Sequence, residues 1–419
     1  MNPNNIPISK SINKSLPFEL DDWLTKKIDP AKRDHTTNTY QFYKKFNLEE
    51  LGFIKAELIT QNSELLLRIK KHVVTYPNEW TMSMIRDATL FHLNLFEKLY
   101  SLNLALKSSS LQNIFFDNTK PKFSDLTTLT MRDEETLLPL SMNDAGLKNT
   151  VNKILLIIEL IKQNNYSTVR QILQEPNEFI LNKKIHEILS KNKSLQSTWE
   201  TAEKIHAIQL SNKKSFVDQC EYLYNLVVNM NIFSVNNSCL SKDNPLPFNN
   251  TSSWNQKQKN IYQIITNERP NTVLDINASS GWNSFLAEHE GANVIATDID
   301  ESAIDNLYQA SKKHNLKILS LFMPFSSLSK NVSCDLVLCP EINNIVSKQN
   351  MKLDDIFKIL CNVTKKTLVL EFANKKEQNE VNNNLYTIDI TINFGLQYFK
   401  TVEILDAHMD SNKLLVFKK

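Results

Sequence analysis

The run Thr272-Val-Leu-Asp-Ile-Asn-Ala-Ser-Ser-Gly-Trp282 sets the architecture of the C-terminal part of this chain. Thr272 to Ile276 is β-branched and aliphatic, with Asp275 near its end. Small polar residues follow, then Gly281 and a helical pattern from Trp282. The reading is a strand, a short turn and a helix start. Gly281 stands where the backbone must approach a ligand closely or pass beneath it, which favours a residue without Cβ. A carboxylate at a strand end beside such a turn is the switch-point arrangement at which open α/β sheets bind nucleotides. Further on, Ala292-Asn-Val-Ile-Ala-Thr-Asp-Ile-Asp300 is a second strand ending in acid. There Asp298 can accept hydrogen bonds from both hydroxyls of a ribose. Asp300 is read as the cap of the helix beginning at Glu301. The dinucleotide pattern G-x-G-x-x-G is absent, so no pyrophosphate cradle is expected.

Working outward, a helix is predicted from Trp254 to Thr266. Strands and helices then alternate through Thr272–Ile276, Trp282–Glu288, Asn293–Asp298, Ser302–His314, Lys317–Phe322, Asp335–Leu338, Leu353–Leu360 and Thr367–Phe372. This alternation predicts βαβ units and a parallel sheet. Two closing strands, Val402–Leu405 and Lys413–Phe417, are predicted as an antiparallel pair at one sheet edge. Upstream, residues 233–253 are rich in Ser, Asn and Pro and read as a linker. Residues 143–232 read as helices. A hairpin is predicted where Asn113-Ile-Phe-Phe-Asp117 and Lys122-Phe-Ser-Asp-Leu126 flank a polar turn. Met84 to Leu106 has the three- and four-residue apolar spacing of a helix, Asn47 to Val74 is also read as helical, and residues 1–40 are read as polar surface chain. The expected organisation is an α+β region over 1–142, a helical segment over 143–232, a linker over 233–253 and a nucleotide-type domain over 254–419.

Composition bounds the function. The chain has 419 residues, 41 % hydrophobic and 22 % charged, proportions of a soluble globular protein with room for several cores. A net charge of +2 gives no general case for nucleic acid or an anionic membrane. The strongest apolar run, Ile154 to Ile161, is broken by Glu159 and is far shorter than the ~20 residues of a membrane span. No signal-peptide pattern opens the chain. The five cysteines (Cys220, Cys239, Cys334, Cys339 and Cys361) form no C-x-x-C pair and read as free thiols of a cytoplasmic protein. The eight histidines show no ligand spacing, so no metal is expected. Only five glycines occur, where ordinary usage of about 7 % would supply roughly 29. Together with abundant Lys and Asn, this looks like the imprint of an AT-rich genome.

The C-terminal motifs resemble those of class I S-adenosylmethionine (SAM)-dependent methyltransferases. That family's first motif has the form V-L-D-x-G-x-x-x-G and is followed by a strand ending V-x-A-x-D-x-D. The resemblance continues through Asp335-Leu-Val-Leu338 and Thr367-Leu-Val-Leu-Glu-Phe372 and covers residues 254–419. It implies a Rossmann-like seven-stranded methyltransferase sheet, SAM as cofactor, and methyl transfer to an unidentified acceptor. By the same resemblance, Asp275, Asn277, Ser279 and Gly281 surround the methionine part. Asp298 faces the ribose, Phe322 and Met323 lie near the adenine, and Ile299 and Cys339 complete the cofactor-binding set. Glu341 and Glu371, after the fourth strand and on the fifth, are candidate catalytic bases. Three departures support an alternative, a non-catalytic binding or regulatory scaffold. Asn277 replaces the family's first glycine, Pro324 stands where an acid often reads the adenine amine, and Asn343-Asn344 stand where relatives often carry histidines.

In the N-terminal half, Leu106-Lys-Ser-Ser-Ser-Leu-Gln-Asn113 and Phe123-Ser-Asp125 have the outline of a kinase catalytic loop and metal-binding acid, H-R-D-x-x-x-x-N and D-F-G. Ser108 replaces the catalytic Asp, so a degenerate, pseudokinase-like region is expected, with Asn113 and Asp125 as turn residues. Tyr76-Pro-Asn-Glu-Trp80, Ile85-Arg-Asp-Ala88 and Lys120-Pro-Lys-Phe123 resemble the N-terminal part of two-part bacterial proteins, some nodulation-protein-like, that carry a methyltransferase domain. In this reading Pro77 and Trp80 are packing residues, and the N-terminal half offers a surface for a protein partner.

Overall fold

The computed structural model describes residues 23–106, 111–132, 145–174, 185, 187–213, 215–230, 232, 248, 251–328, 332–339, 342, 345, 351–372, 387–407 and 412–419. The chain divides into two units, Met1–Ile232 and Phe233–Lys419. The first begins with strand β1 (Trp23–Lys27) and helix α1 (Arg33–Lys45), in a stretch expected to be surface chain only. The hairpin β2 (Ala56–Gln61) and β3 (Glu64–Lys70) follows, giving an antiparallel sheet of order β1-β3-β2. This corrects the helix expected from Asn47 to Val74. Asn62 and Ser63 both take left-handed angles, φ 49° and 64°, the two-residue turn whose twist suits a hairpin. Leu67 and Ile69 are buried at alternate positions between exposed Glu64 and Lys70, a period of two rather than 3.6.

Helix α2 (Met82–Ser101) starts under the Thr81 hydroxyl, which accepts from Met84 N at 3.2 Å. It stops short of Leu106 because Asn103 turns left-handed, φ 58°. The next residues form β4 (Leu104–Leu106) instead. The expected hairpin is β5 (Ile114–Asp117) and β6 (Lys120–Phe123), turning at left-handed Asn118. Strand β7 (Leu129–Met131) returns antiparallel to β4. Helices α3 (Ala145–Lys162), α4 (Tyr166–Leu173), α5 (Lys193–Ser211) and α6 (Phe216–Val228) complete the unit. In α3, Ile154 to Ile158, Leu160 and Ile161 are all buried, so the apolar run is a core helix. Among the described residues no helix is long and apolar enough to cross a membrane.

The second unit runs α7 (Gln256–Glu268), β8 (Thr272–Ile276), α8 (Trp282–His289), β9 (Asn293–Asp298), α9 (Glu301–His314) and β10 (Ile318–Phe322). It continues with β11 (Cys334–Cys339), α10 (Leu353–Val363), β12 (Thr364–Phe372), α11 (Ile388–Gly395), β13 (Thr401–Asp406) and β14 (Lys413–Lys418). One seven-stranded sheet results, of order β10-β9-β8-β11-β12-β14-β13. Strands β8 to β12 are mutually parallel, and β14 is antiparallel to both β12 and β13. The closing strands do pair antiparallel, but β14 lies inside the sheet and only β13 is the edge. Composition explains the difference: Leu414 to Phe417 is an unbroken apolar run, buried throughout, whereas β13 keeps Ile404 half exposed at 51 %. The order reverses between β8 and β11, the position at which open α/β sheets bind their ligands. Most of residues 233–253 lie outside the described residues, but Phe248 is buried there. It meets Trp254 and Trp282 edge-on, with centroids 6.0 and 5.9 Å away, in the core of this unit.

Candidate functional site

Strand β8 delivers Asp275 to the switch point with no solvent exposure. Ser284, on α8, donates its hydroxyl proton to Asp275 Oδ2 at 2.6 Å. The other oxygen, Oδ1, is enclosed and has no hydrogen-bond partner. Burial pushes this carboxyl up to about 6, and the nearby Asp298 charge adds to the rise, against the pull of Ser284, Asn283 and Lys257. A buried, half-satisfied carboxyl is uncommon and costly.

The loop between β8 and α8 alternates into the left-handed region at Asn277 (φ 54°), Ser279 (φ 48°) and Gly281 (φ 82°). Asn277 therefore adopts a left-handed conformation that glycine reaches freely and Asn more readily than most other residues. Ala278 N donates to Thr297 O at 3.0 Å and Gly281 N to Ala278 O at 2.8 Å, holding the loop on the end of β9. At Gly281 the reason for glycine is packing. A Cβ there would lie 2.5 Å from Leu307 Cδ1 and 3.2 Å from Phe285 Cε2. The expected close approach is thus made by helix α9, and Gly281 itself is filled round by apolar side chains.

Asp298, at the end of β9, accepts three backbone N–H bonds. Ser279 N reaches Oδ2 at 2.8 Å, while Ile299 N and Asp300 N reach Oδ1 at 2.7 and 2.9 Å. Its own carbonyl accepts from Met323 N at 2.9 Å. Asp298 thus staples the loop, its own strand end and the end of β10 together. A carboxylate offers about four acceptor positions, so one is left for an outside donor. Asp300 caps α9, its Oδ1 taking Ser302 N and Ala303 N, each at 3.0 Å. Beside these, Ile299 turns an apolar side chain outward at 40 % exposure. Phe322 is half-buried against the core and Met323 is buried. Cys339, at the end of β11, is buried, which pushes its thiol up to about 12. Pro324 precedes the short turn Phe325–Ser327 and supplies no side-chain acceptor.

Of the candidate bases, Glu371 on β12 is buried and paired with Lys257 in the first turn of α7, Nζ to Oε2 2.5 Å. It is held by a cation rather than poised in isolation. Glu341 lies outside the described residues, as do Asn343 and Asn344. Lys257 and Ser284 are the two participants that sequence reading missed. The Lys257–Glu371 contact joins residues 114 apart, and no local pattern announces it.

In the first unit, Asp125 Oδ1 accepts from Thr127 N at 3.0 Å and Thr127 Oγ1 at 2.6 Å, capping the turn Leu126–Thr128. Asn113 is buried, and its carbonyl takes Ser124 N at 2.8 Å. Both are turn residues in this geometry; Ser108 lies outside the described residues. Trp80 is fully buried, donating from Nε1 to Thr75 Oγ1 at 3.0 Å, and Arg170 grips the carbonyls of Asn78 and Trp80 at 2.8 and 3.1 Å. Among the described residues no group of three or more His, Cys, Asp or Glu is arranged to hold a metal ion.

Strand order and switch point define a Rossmann-like α/β fold for the second unit. No protein-family model matches the chain. The chain is 23 % identical over 271 residues to nodulation protein NoeA of Rhizobium meliloti (strain 1021), covering 60 % of this chain and 55 % of that protein. It therefore spans about half the length of this curated relative. Among solved structures, it is similar to magnesium protoporphyrin IX methyltransferase (ChlM) from Synechocystis PCC 6803 with bound SAM. There 39 % of this chain and 77 % of that one align at 12 % identity, TM-score 0.30. It is similar also to the PH0226 protein from Pyrococcus horikoshii OT3, with 40 % and 94 % of the two chains aligned at 20 % identity, TM-score 0.31. The T. thermophilus 16S rRNA N2 G1207 methyltransferase (RsmC), in complex with AdoMet and guanosine, aligns over 38 % and 42 % at 14 % identity, TM-score 0.28.

Proposed function

We propose that the second unit binds SAM at the carboxyl ends of β8, β9 and β10, and that the chain is a SAM-dependent methyltransferase. The observation that carries this reading is the unpaired Asp275 Oδ1. Buried at the switch point, it needs a donor, and the ammonium of a methionine moiety supplies one, directly or through one water. The neighbouring groups fit the rest of the molecule. Asp298 keeps one acceptor position for a ribose hydroxyl rather than two. Ile299 offers an exposed apolar surface for a base, beside Phe322 and Met323.

SAM supplies an electrophilic methyl on a sulfonium, so the reactive chemistry is the cofactor's own. The chain's part is to bind, orient and exclude water. Asp275 and the 277–281 loop fix the amino-acid end. Asp298, by stapling the loop to two strand ends, keeps that end in register with the ribose. Lys257 pairs with Glu371 and orients it near the carboxyl end of β12, where it can steer an approaching acceptor.

Thermal shift and calorimetric titration with SAM, S-adenosylhomocysteine and ATP test the reading. Stabilisation by the first two and not by ATP is expected, and Asp298→Ala is expected to abolish it. No shift with SAM in the millimolar range would sink the proposal. Binding without methyl transfer to any acceptor, across small-molecule, lipid, glycan and protein pools, would favour the scaffold alternative.

A further inference from the structure

Ser284 touches Asp275, yet the proposed function leaves it without a role. It is fully buried in the first turn of α8. Buried hydroxyls elsewhere in the chain's helices turn back on a carbonyl four residues earlier, Thr89 on Ile85 at 2.8 Å and Ser311 on Leu307 at 2.7 Å. Ser284 instead donates across to strand β8, its Oγ 2.6 Å from Asp275 Oδ2. A hydroxyl has one proton to give, and here the carboxyl takes it.

The surroundings make that donor count. The register neighbours of Asp275 on its own face of the sheet are Ala296 of β9 and Leu338 of β11, and neither has a polar side chain to offer. Burial is the largest influence on the Asp275 carboxyl and favours its protonated form, with a midpoint at about 6. Of the groups that act on its charge, Ser284 is the foremost counterweight. Asn283 from the same turn and Lys257 from α7 pull the same way, while Asp298 from β9 opposes them. Cys339, at the end of β11, remains a neutral thiol, and Glu371 of β12 is paired with Lys257.

We propose that Ser284 is a positioning residue of the SAM site: by engaging Oδ2 it keeps Asp275 a carboxylate and leaves Oδ1 as the acceptor for the methionine ammonium. This role rests on the SAM reading above. Once protonated, Asp275 carries no charge to attract a cation, and a proton on Oδ1 would face the protons of the ammonium. SAM binding therefore has an acid limb that belongs to Asp275, and Ser284 sets the pH at which it falls.

The experiment titrates the full chain with SAM by calorimetry from about pH 5.5 to about pH 7.5, below the ~8 at which an α-amino group gives up its proton. Wild-type affinity is expected to be level near pH 7 and to fall below about 6. Ser284→Ala is expected to move this limb up by about one pH unit, the scale of one charge-assisted hydrogen bond. Its deficit against the wild type then approaches roughly tenfold at the acid end and stays under about twofold at the other. A merely structural loss would be equal at every pH. Ser284→Thr, which keeps the donor, is expected to restore the wild-type limb, and Asp275→Asn to abolish it. Without SAM, the Asp275 carboxyl carbon, identified in NMR spectra by its absence from Asp275→Asn, is expected to titrate about one unit higher in Ser284→Ala. Where Ser284→Ala does not fold, Ser284→Cys, similar in shape and a weaker donor, carries the same comparison. A level wild-type profile, a deficit equal at every pH, or an unmoved Asp275 titration would overturn the role of Ser284 and leave SAM binding standing. No SAM binding at any pH would overturn the reading beneath it.

Discussion

Two aspartates, one in each unit, stand just where a strand gives way to a turn, Asp275 fully buried and Asp125 half-buried. Burial is the main cause raising the pKa of both Asp275 and Asp125. Their partners differ. Asp125 turns one oxygen back on its own turn, taking both the N–H and the hydroxyl of Thr127. Asp275 is held by Ser284 on one oxygen and leaves the other enclosed and unpaired. Burial alone says that a carboxyl is held at a cost. The partner geometry separates a carboxyl that serves its own turn from one with an acceptor position to spare.

The sharpest way to break this contrast is a pair of alanine variants read by SAM titration. Asp275→Ala is expected to weaken SAM by about 100-fold, near 3 kcal/mol, while Asp125→Ala leaves its affinity unchanged. Equal effects would end the distinction. Gly281→Ala comes next. The strained left-handed angle and the 2.5 Å approach of Leu307 predict a loss of roughly 2 kcal/mol or more in urea unfolding. Leu307→Ala in the same chain should recover part of it.

Acid separates the two units in opposite senses. Asp275 titrates at about 6 when folded against 3.8 ordinarily. It therefore draws stability from the fold as pH rises from 3.8 to about 6, and no more above that. His92, on α2, is buried against Phe96 and Phe123 with neither ring nitrogen paired. Burial lowers it to about 3 from 6.5. Its neutral form suits the fold, so stability falls as pH drops below 6.5, by roughly 2 kcal/mol at pH 5. Denaturant melts at pH 5 and 7 should show the first unit weakening with acid. His92→Phe should remove most of that dependence. The smallest effect is expected from Asn277→Gly, under about 1 kcal/mol in stability, because the backbone angles are already those of a glycine. A marked rise in SAM affinity in this variant would show the Asn277 side chain obstructing the site.

Where one period dominated, sequence reading gave the elements directly. Thr272–Ile276 and Asn293–Asp298 were legible to the residue, since short aliphatic runs with an acid at or next to the last position were followed by helical spacing. The β2–β3 hairpin was not, because Leu58, Leu65, Leu66 and Leu67 also fit a helical stripe and the decisive signal was the two-residue turn Asn62-Ser63. In the candidate site, the strand-end positions of Asp275 and Asp298 were legible. What each bonds was not: Ser279 N and Ser284 reach them only once the loop has folded back. The Lys257–Glu371 pair and the inward course of β14 are products of tertiary assembly, with no local trace.

The left-handed turns carry one more consequence. Of the ten described non-glycine residues at positive φ, seven are Asn: 47, 62, 103, 118, 164, 277 and 315. In a chain with five glycines, asparagine has taken over glycine's geometric work, including in the loop beside Asp275. Asparagine is also among the heat-labile residues, its amide hydrolysing slowly to a carboxylate. The turns are therefore chemical clocks. Such hydrolysis would add negative charge at the hairpins and helix ends, and at position 277 it would fall in the loop that Asp298 holds through Ser279 N, two residues from Asp275, so the proposed SAM affinity would decline with the age of the molecule as well as with temperature.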